Sequence, residues 1–213
     1  MSSNVVLEDV APRFNLVREV RVKHLFVLTA LVGLLGAATA QAQDRGGVRI
    51  GVNLATLSTD DETFDAKTRT GLVVGLYGVV PVNNTFSFQP EVLFSQQGAK
   101  AEDGGQEATL KLDYVQIPAL ARIRLGRTSP AFLLVGPTFG FNTSAEADFN
   151  GQTDDFKDEI KGNDVGLVTG IAINAGPAVV DARYTWGLMN IDDSTDPGKV
   201  KNRFFSLSFG LRF

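Results

Sequence analysis

An all-β fold, an eight-stranded antiparallel up-and-down transmembrane β-barrel, is predicted by three observations in this sequence. In the ending Asn202 to Phe213, Phe205, Leu207, Phe209, Leu211 and Phe213 share one parity, while Ser206, Ser208, Gly210 and Arg212 share the other. This is the period-two pattern of a strand with unlike faces. A face so rich in Phe and Leu would be a sticky edge in water, but it suits a strand facing lipid. Seven further segments upstream carry related patterns, so the strand count is even. Their connections run long, short, long, short, long, short, long, as in a barrel with short periplasmic turns and longer external loops.

Composition decides little: charged residues are 21% of the 213 and there is one Trp. The N-terminal part is more informative. Arg21, Lys23 and His24 precede the apolar run Leu25 to Leu35, and small residues follow with the sites Ala38-Thr39-Ala40 and Ala40-Gln41-Ala42. A basic flank, a short apolar run and A-x-A sites define a secretory signal peptide rather than a spanning helix of about 20 residues. Residues 1–42 are therefore read as a polar lead plus a cleaved signal, with translation expected to start near Val20 or Val22, and residues 43–213 as the barrel domain. Past residue 42 the balance is 16 Lys+Arg against 21 Asp+Glu. No basic footprint for nucleic acid remains.

Strand by strand, Val48, Ile50, Val52 and Leu54 oppose Arg49, Gly51 and Asn53 in the first, Val48 to Leu54. The acidic loop 58–69, with Asp60, Asp61, Glu62 and Asp65, leads to the second, Thr70 to Val80, with Leu72, Val74, Leu76 and Val80 outward and Gly75 and Tyr77 inward. After the turn Pro81 to Thr85 comes Phe86 to Gln97, with Phe86, Phe88, Pro90, Val92 and Phe94 against Ser87, Gln89, Glu91, Ser95 and Gln97. Loop 98–108 precedes the fourth strand, about Thr109 to Leu125, where Val115, Ile117, Ala119, Ala121, Ile123 and Leu125 oppose Tyr114, Gln116, Arg122 and Arg124. The fifth, Ala131 to Asn142, sets Leu133, Val135, Phe139 and Phe141 against Gly136, Thr138 and Gly140; the long connection 143–163 allows a turn or two of helix around Phe156 and Ile160. Strands six and seven, Asp164 to Ala175 and Ala178 to Met189, flank Gly176-Pro177, and loop 190–201 leads to the last strand. Outward aromatics form two girdles: Phe86, Phe88 and Phe213 at the periplasmic rim, Phe94, Phe141, Trp186 and Phe205 at the outer one.

The inward faces collect Arg49, Glu91, Arg122, Arg124, Asp181, Arg183 and Arg212. An eight-stranded barrel has room inside for little but side chains, so these charges are expected to pair across the lumen as a structural plug. No catalytic, cofactor or metal site is expected. Cysteine is absent and the one histidine, His24, lies in the signal, which removes His-based hydrolase chemistry and thiolate ligands. Asp192 to Gly198 offers oxygen ligands but lacks the spacing and distal Glu of a calcium loop.

Several stretches resemble a known family: Phe86 to Lys100 (FSFQPEVLFSQQGAK), Leu112 to Pro118 (LDYVQIP), Ala182 to Ile191 (ARYTWGLMNI) and Ser208 to Phe213 (SFGLRF). They are similar to the outer-membrane β-barrel domain family that includes PorT-like proteins of Bacteroidetes-type bacteria. The resemblance implies an eight-stranded barrel in the cell outer membrane, inserted by the barrel-assembly machinery with Phe213 as the assembly signal; it implies little about activity. The resulting expectation is a non-enzymatic structural or interaction protein. Its contact surfaces are loops 58–69, 98–108, 143–163 and 190–201, and its partners are outer-membrane lipid, lipopolysaccharide and an envelope protein. Two alternatives stand beside it: a narrow small-solute pore, and a soluble periplasmic barrel binding an apolar ligand.

Overall fold

The computed structural model describes residues 46–59, 67–103, 106–149, 152–155, 157–193 and 199–213. The expected signal sequence, the acidic residues Asp60 to Asp65, Phe156 and the stretch 194–198 lie outside them. Eight strands make the barrel: β1 (Gly46–Thr59), β2 (Lys67–Gly78), β3 (Phe86–Asp103), β4 (Gln106–Arg124), β5 (Ala131–Phe149), β6 (Asn163–Ala175), β7 (Ala178–Gly187) and β8 (Val200–Arg212). Each pairs antiparallel with its sequence neighbour, and β1 also pairs with β8, so the sheet closes. The closing seam sets Val48 opposite Leu211, Ile50 opposite Phe209 and Val52 opposite Leu207. Closure leaves neither terminal strand with a free edge.

The face assignment follows the parity in the sequence. Val48, Ile50, Val52 and Leu54, Leu72, Val74 and Leu76, and Phe205, Leu207, Phe209 and Leu211 are all exposed on the outer wall. A soluble ligand-binding barrel turns its apolar faces inward, so this wall sets the periplasmic alternative aside. The continuous apolar outer band is what a bilayer covers. Ile50→Arg, in the middle of that band, is expected to lower folding stability in lipid by about 2–4 kcal/mol, read as a lower denaturant midpoint of the heat-modifiable band; an unchanged midpoint would place Ile50 outside the hydrocarbon.

The short turns are built from local chemistry. Asn83 Oδ1 accepts from the backbone N–H groups of Thr85 and Phe86, each at 2.9 Å, the side-chain mimicry of a backbone turn. Val80 and Pro81 form a separate two-residue strand against Phe88 and Ser87, so β2 ends at Gly78 rather than Val80. Gly176, at φ +59°, makes the two-residue hairpin between β6 and β7. At the far end of β7 the strand stops at Gly187, two residues before the expected Met189.

At the long-connection end the structure departs from the sequence reading. Residues 98–103 and 106–108 and, at the two ends of the expected loop 58–69, residues 58–59 and 67–69 are strand rather than loop, and β5 continues to Phe149. A four-residue strand, Gln152–Asp155, folds back onto β5. Among the described residues of 143–163 the helical structure is one 3-10 turn, Lys157–Glu159. Strands β3, β4 and β5 reach 18, 19 and 19 residues, whereas a tilted strand crosses the hydrocarbon in about 9–11. Their surplus forms an extension beyond the membrane.

The pattern inverts in this extension. Outward positions turn polar beyond Phe94, Val115 and Phe141, with Lys111 bonded to Asp148 at 3.2 Å. Inward positions become apolar: Ala99, Leu112, Tyr114 and Ala145 are buried with Leu57 and Ile191. The strands thus keep lipid-facing apolar side chains outside within the membrane and turn a polar face outward above it, as each solvent demands. Two irregularities accompany the change, Gly98 at φ +118° and the register shift at Asp113/Tyr114 that leaves Thr143 as the extra residue. This explains the misreading: the small residues and broken alternation of 98–108 resemble a loop.

Candidate functional site

The interior of the barrel holds the chain's most concentrated polar chemistry. Its centre is four buried charges from three strands: Arg49 on β1, Glu91 on β3, Asp181 and Arg183 on β7. Placed there by inward parity, they are 3%, 1%, 2% and 5% exposed. Arg183 grips Glu91 with both terminal nitrogens, Nη1 to Oε2 at 2.8 Å and Nη2 to Oε1 at 2.9 Å. Arg49 Nη1 donates to Glu91 Oε2 at 3.2 Å, and its Nη2 donates to Asp181 Oδ2. Arg183 Nε lies 2.9 Å from Asp181 Oδ1, which also accepts from Ser208 Oγ at 3.0 Å. Gln89 Nε2 supplies a further donor to Glu91 Oε1 at 2.6 Å. Two cations and two anions make the group neutral, and the fork geometry of Arg183 on Glu91 is the strong bidentate form.

The other three of the seven expected charges end elsewhere. Arg122 donates to Gln89 Oε1 at 2.8 Å and to Asn174 Oδ1 at 2.7 Å, with its guanidinium 3.9 Å from the Phe132 ring centre. Arg124 lies 4.8 Å from the same ring and donates to the Ser129 carbonyl at 3.3 Å. Arg212 bonds the Gly176 carbonyl. These three sit nearer the short-turn rim, where amide and backbone oxygens and an aromatic face, rather than carboxylates, are within reach. Phe213 is exposed, and its backbone N–H donates to the Gly46 carbonyl at 3.0 Å.

Inward positions are also more apolar than alternation implies. Leu120, Leu134, Val168, Ala172 and Val179 form a buried cluster on β4 to β7, and Leu93 and Phe204 face inward too. A second polar layer lies toward the outer end, where Ser206 donates to Asn53 Oδ1 at 2.7 Å and Asn53 donates to Ser95 Oγ at 2.9 Å. Beside the charge group, Arg49, Val73, Leu93, Gln116, Val168 and Phe204 help to line a cavity of about 20 Å³, room for about one water. At the outer end two connections interlock: Lys161 N–H donates to Ile191 O at 2.8 Å and Asp193 N–H to Glu159 O at 2.9 Å, with Ile160 packed against the core that contains Ile191. Among the described residues, no group of three or more His, Cys, Asp or Glu is placed to hold a metal ion.

Asp164, Asn202 and Ile191 were missed as interior residues because each falls at or beyond a strand end, where parity alone does not say whether a side chain turns inward. Inward parity carried back through Asn202 would have found one of them.

A closed antiparallel barrel with an apolar outer band and a polar, packed interior defines an integral outer-membrane barrel. Residues 40–193 match the family described as Outer membrane protein beta-barrel domain, and the chain belongs to that family. It resides in the cell outer membrane. No curated protein matches the sequence. Among solved structures, Neisserial surface protein A (NspA) is similar at 16% identity over 79% of this chain and 97% of that one, with a TM-score of 0.51. Ail, the attachment invasion locus protein of Yersinia pestis, is similar at 18% identity over 81% of this chain and 100% of its own, with a TM-score of 0.49. The outer membrane enzyme PagL is similar at 11% identity over 76% of this chain and 99% of its own, with a TM-score of 0.35. At these identities the likeness is one of fold.

Proposed function

We propose that this protein is a non-enzymatic outer-membrane barrel of structural or interaction type, with a plugged lumen and with the extension of β3, β4 and β5 as its main contact surface. The observation that carries the reading is the packing of the interior: a neutral buried ion quartet at mid-barrel and an apolar layer around Leu112, Tyr114 and Ile191 above it. A solute would have to break both. The extension offers a polar outer face and, inside it, an apolar cup of about 240 Å³ lined by Leu57, Ala99, Ala108, Leu110, Ala147 and Phe149. Exposed apolar concavities of this kind favour protein or lipid contacts.

The partners that fit are outer-membrane lipid and lipopolysaccharide around the wall and an envelope protein at the extension. The PorT-like affinity and the role of Phe213 as the signal read by the barrel-assembly machinery belong to the same proposal. The catalytic reading is weak because the chain's one histidine, His24, lies in the expected signal. In planar bilayers the purified barrel is expected to give no unitary conductance; reproducible single-channel steps would favour the small-solute pore instead.

A further inference from the structure

Charge is not balanced along the lumen. Among the described residues from mid-barrel to the short-turn end, five inward arginines, Arg49, Arg122, Arg124, Arg183 and Arg212, meet two inward carboxylates, Glu91 and Asp181. The quartet uses both carboxylates, so Arg122, Arg124 and Arg212 form no ion pair with a described acid. Arg122 is 3% exposed, and its bonds to Gln89 and Asn174 supply dipoles but no counter-charge. A guanidinium cannot shed its proton to escape this, and a buried charge without an opposite one is costly. Arg127, exposed on the turn between β4 and β5, adds positive charge at the same end.

The barrel gathers these cations. Arg122 and Arg124 share the Phe132 ring, at 3.9 and 4.8 Å from its centre. Arg122 reaches Asn174 on β6, and Arg212 reaches the carbonyl of Gly176 two residues further on. Arg122 and Arg212 are within electrostatic range of one another, and the Tyr77 hydroxyl is within range of both. Tyr77 and Arg212 each pair with Gly47, from opposite sides, so they stand in one row across β2, β1 and β8. Gly47 has no side chain to part them, and the Tyr77 hydroxyl lies 2.6 Å from where a Cβ there would be. Two donors of this row are shielded and without an acceptor: the Tyr77 hydroxyl, on a residue 2% exposed, and Arg212 Nε. Should Arg212 Nε turn to the Tyr77 oxygen, the hydroxyl proton would still need an acceptor. Water entering the mouth can meet the donors but brings no charge to set against three guanidinium groups. An anion supplies both. Guanidinium forks match the spaced oxygens of an oxyanion, and clustered arginines favour a multiply charged one over chloride.

We propose that Arg122, Arg124 and Arg212, with the Tyr77 hydroxyl, bind a phosphate-class oxyanion at the short-turn mouth of the lumen, which faces the periplasm. The phosphate is either free in solution or carried by a phospholipid headgroup at the rim. Binding here lies below the quartet and needs no passage through it, so conductance tests the plugged lumen and phosphate binding tests this site.

The test uses the whole barrel refolded in maltoside micelles in phosphate-free buffer. It is titrated calorimetrically with sodium phosphate and, separately, with the short-chain lipid dihexanoyl phosphatidylglycerol, and the thermal midpoint is followed in parallel. NaCl at matched ionic strength controls for screening. One saturable site and a rise in midpoint are expected with at least one probe and not with NaCl; phosphate alone marks a soluble ligand, the lipid alone a headgroup. Arg212→Gln, at the half-buried rim, should lower that affinity at least tenfold while keeping heat-modifiable migration. Should Arg212→Gln fail to fold, Arg124→Gln carries the same expectation. Absence of saturable binding with both probes would overturn the proposal and leave the three arginines to water. An equal rise in midpoint with NaCl, or binding that either folded variant leaves unchanged, would also overturn it.

Discussion

Glu91→Ala is expected to cost about 3–5 kcal/mol of folding stability, the usual penalty for removing one partner from a buried ion pair. Glu91 accepts from Arg49, from both terminal nitrogens of Arg183 and from Gln89. Without it two buried guanidinium groups share the one carboxylate of Asp181. Urea titration in micelles, followed by the heat-modifiable band, measures the loss. The double replacement Glu91→Leu with Arg183→Met removes one charge of each sign and leaves Arg49 paired with Asp181. It should therefore recover most of what Glu91→Ala loses, because the penalty arises from the unpaired charge rather than from the absent bond. A single variant as stable as the parent protein would mean that water enters the mid-barrel freely, and the plugged-lumen reading would fall with it.

Gly98→Val is the second large effect, and it separates the extension from the membrane barrel. Gly98 holds φ +118°, and a Cβ there would stand 2.1 Å from the Leu110 carbonyl oxygen. A β-branched side chain can neither adopt that backbone nor occupy that space without moving β4, at a cost of about 1–3 kcal/mol for the dihedral alone. The strain falls where the inward face changes from Gln97 to Ala99. Limited proteolysis should then cut within the outer reach of β3 and β4, while the membrane part keeps its heat-modifiable migration. Protection equal to that of the parent protein would show that the extension does not depend on this glycine.

Most of the membrane barrel was legible in the sequence because one local rule covers it. Where lipid lies outside and side chains fill the inside, alternate residues answer to opposite solvents, and eight such segments joined by alternating long and short connections admit few other closures. The inward positions of Arg49, Glu91, Asp181 and Arg183 follow from the same parity. Parity does not say which inward charges meet. Arg122, Arg124 and Arg212 share the inward parity yet bond to amide or backbone oxygens, and Arg122 and Arg124 also rest on the Phe132 ring, since partners are set by height along the barrel and by strand stagger.

The extension was hidden for a different reason. Above the bilayer the outside is water, so apolar and polar faces exchange roles, and Gly98 and the extra residue Thr143 break the alternation at the point of exchange. A short window across such a break averages two opposite patterns and resembles a polar loop. The sequence by itself determined a closed, lipid-facing, eight-stranded barrel, because the demand of lipid on every second residue is local. Only the tertiary structure decided that three strands rise beyond the membrane around an apolar core, that four charges form one neutral group, and that Asn202 meets Asp164 at the outer end of the interior. Those outcomes depend on register around a closed ring, which brings together residues as distant in the chain as Arg49 and Asp181.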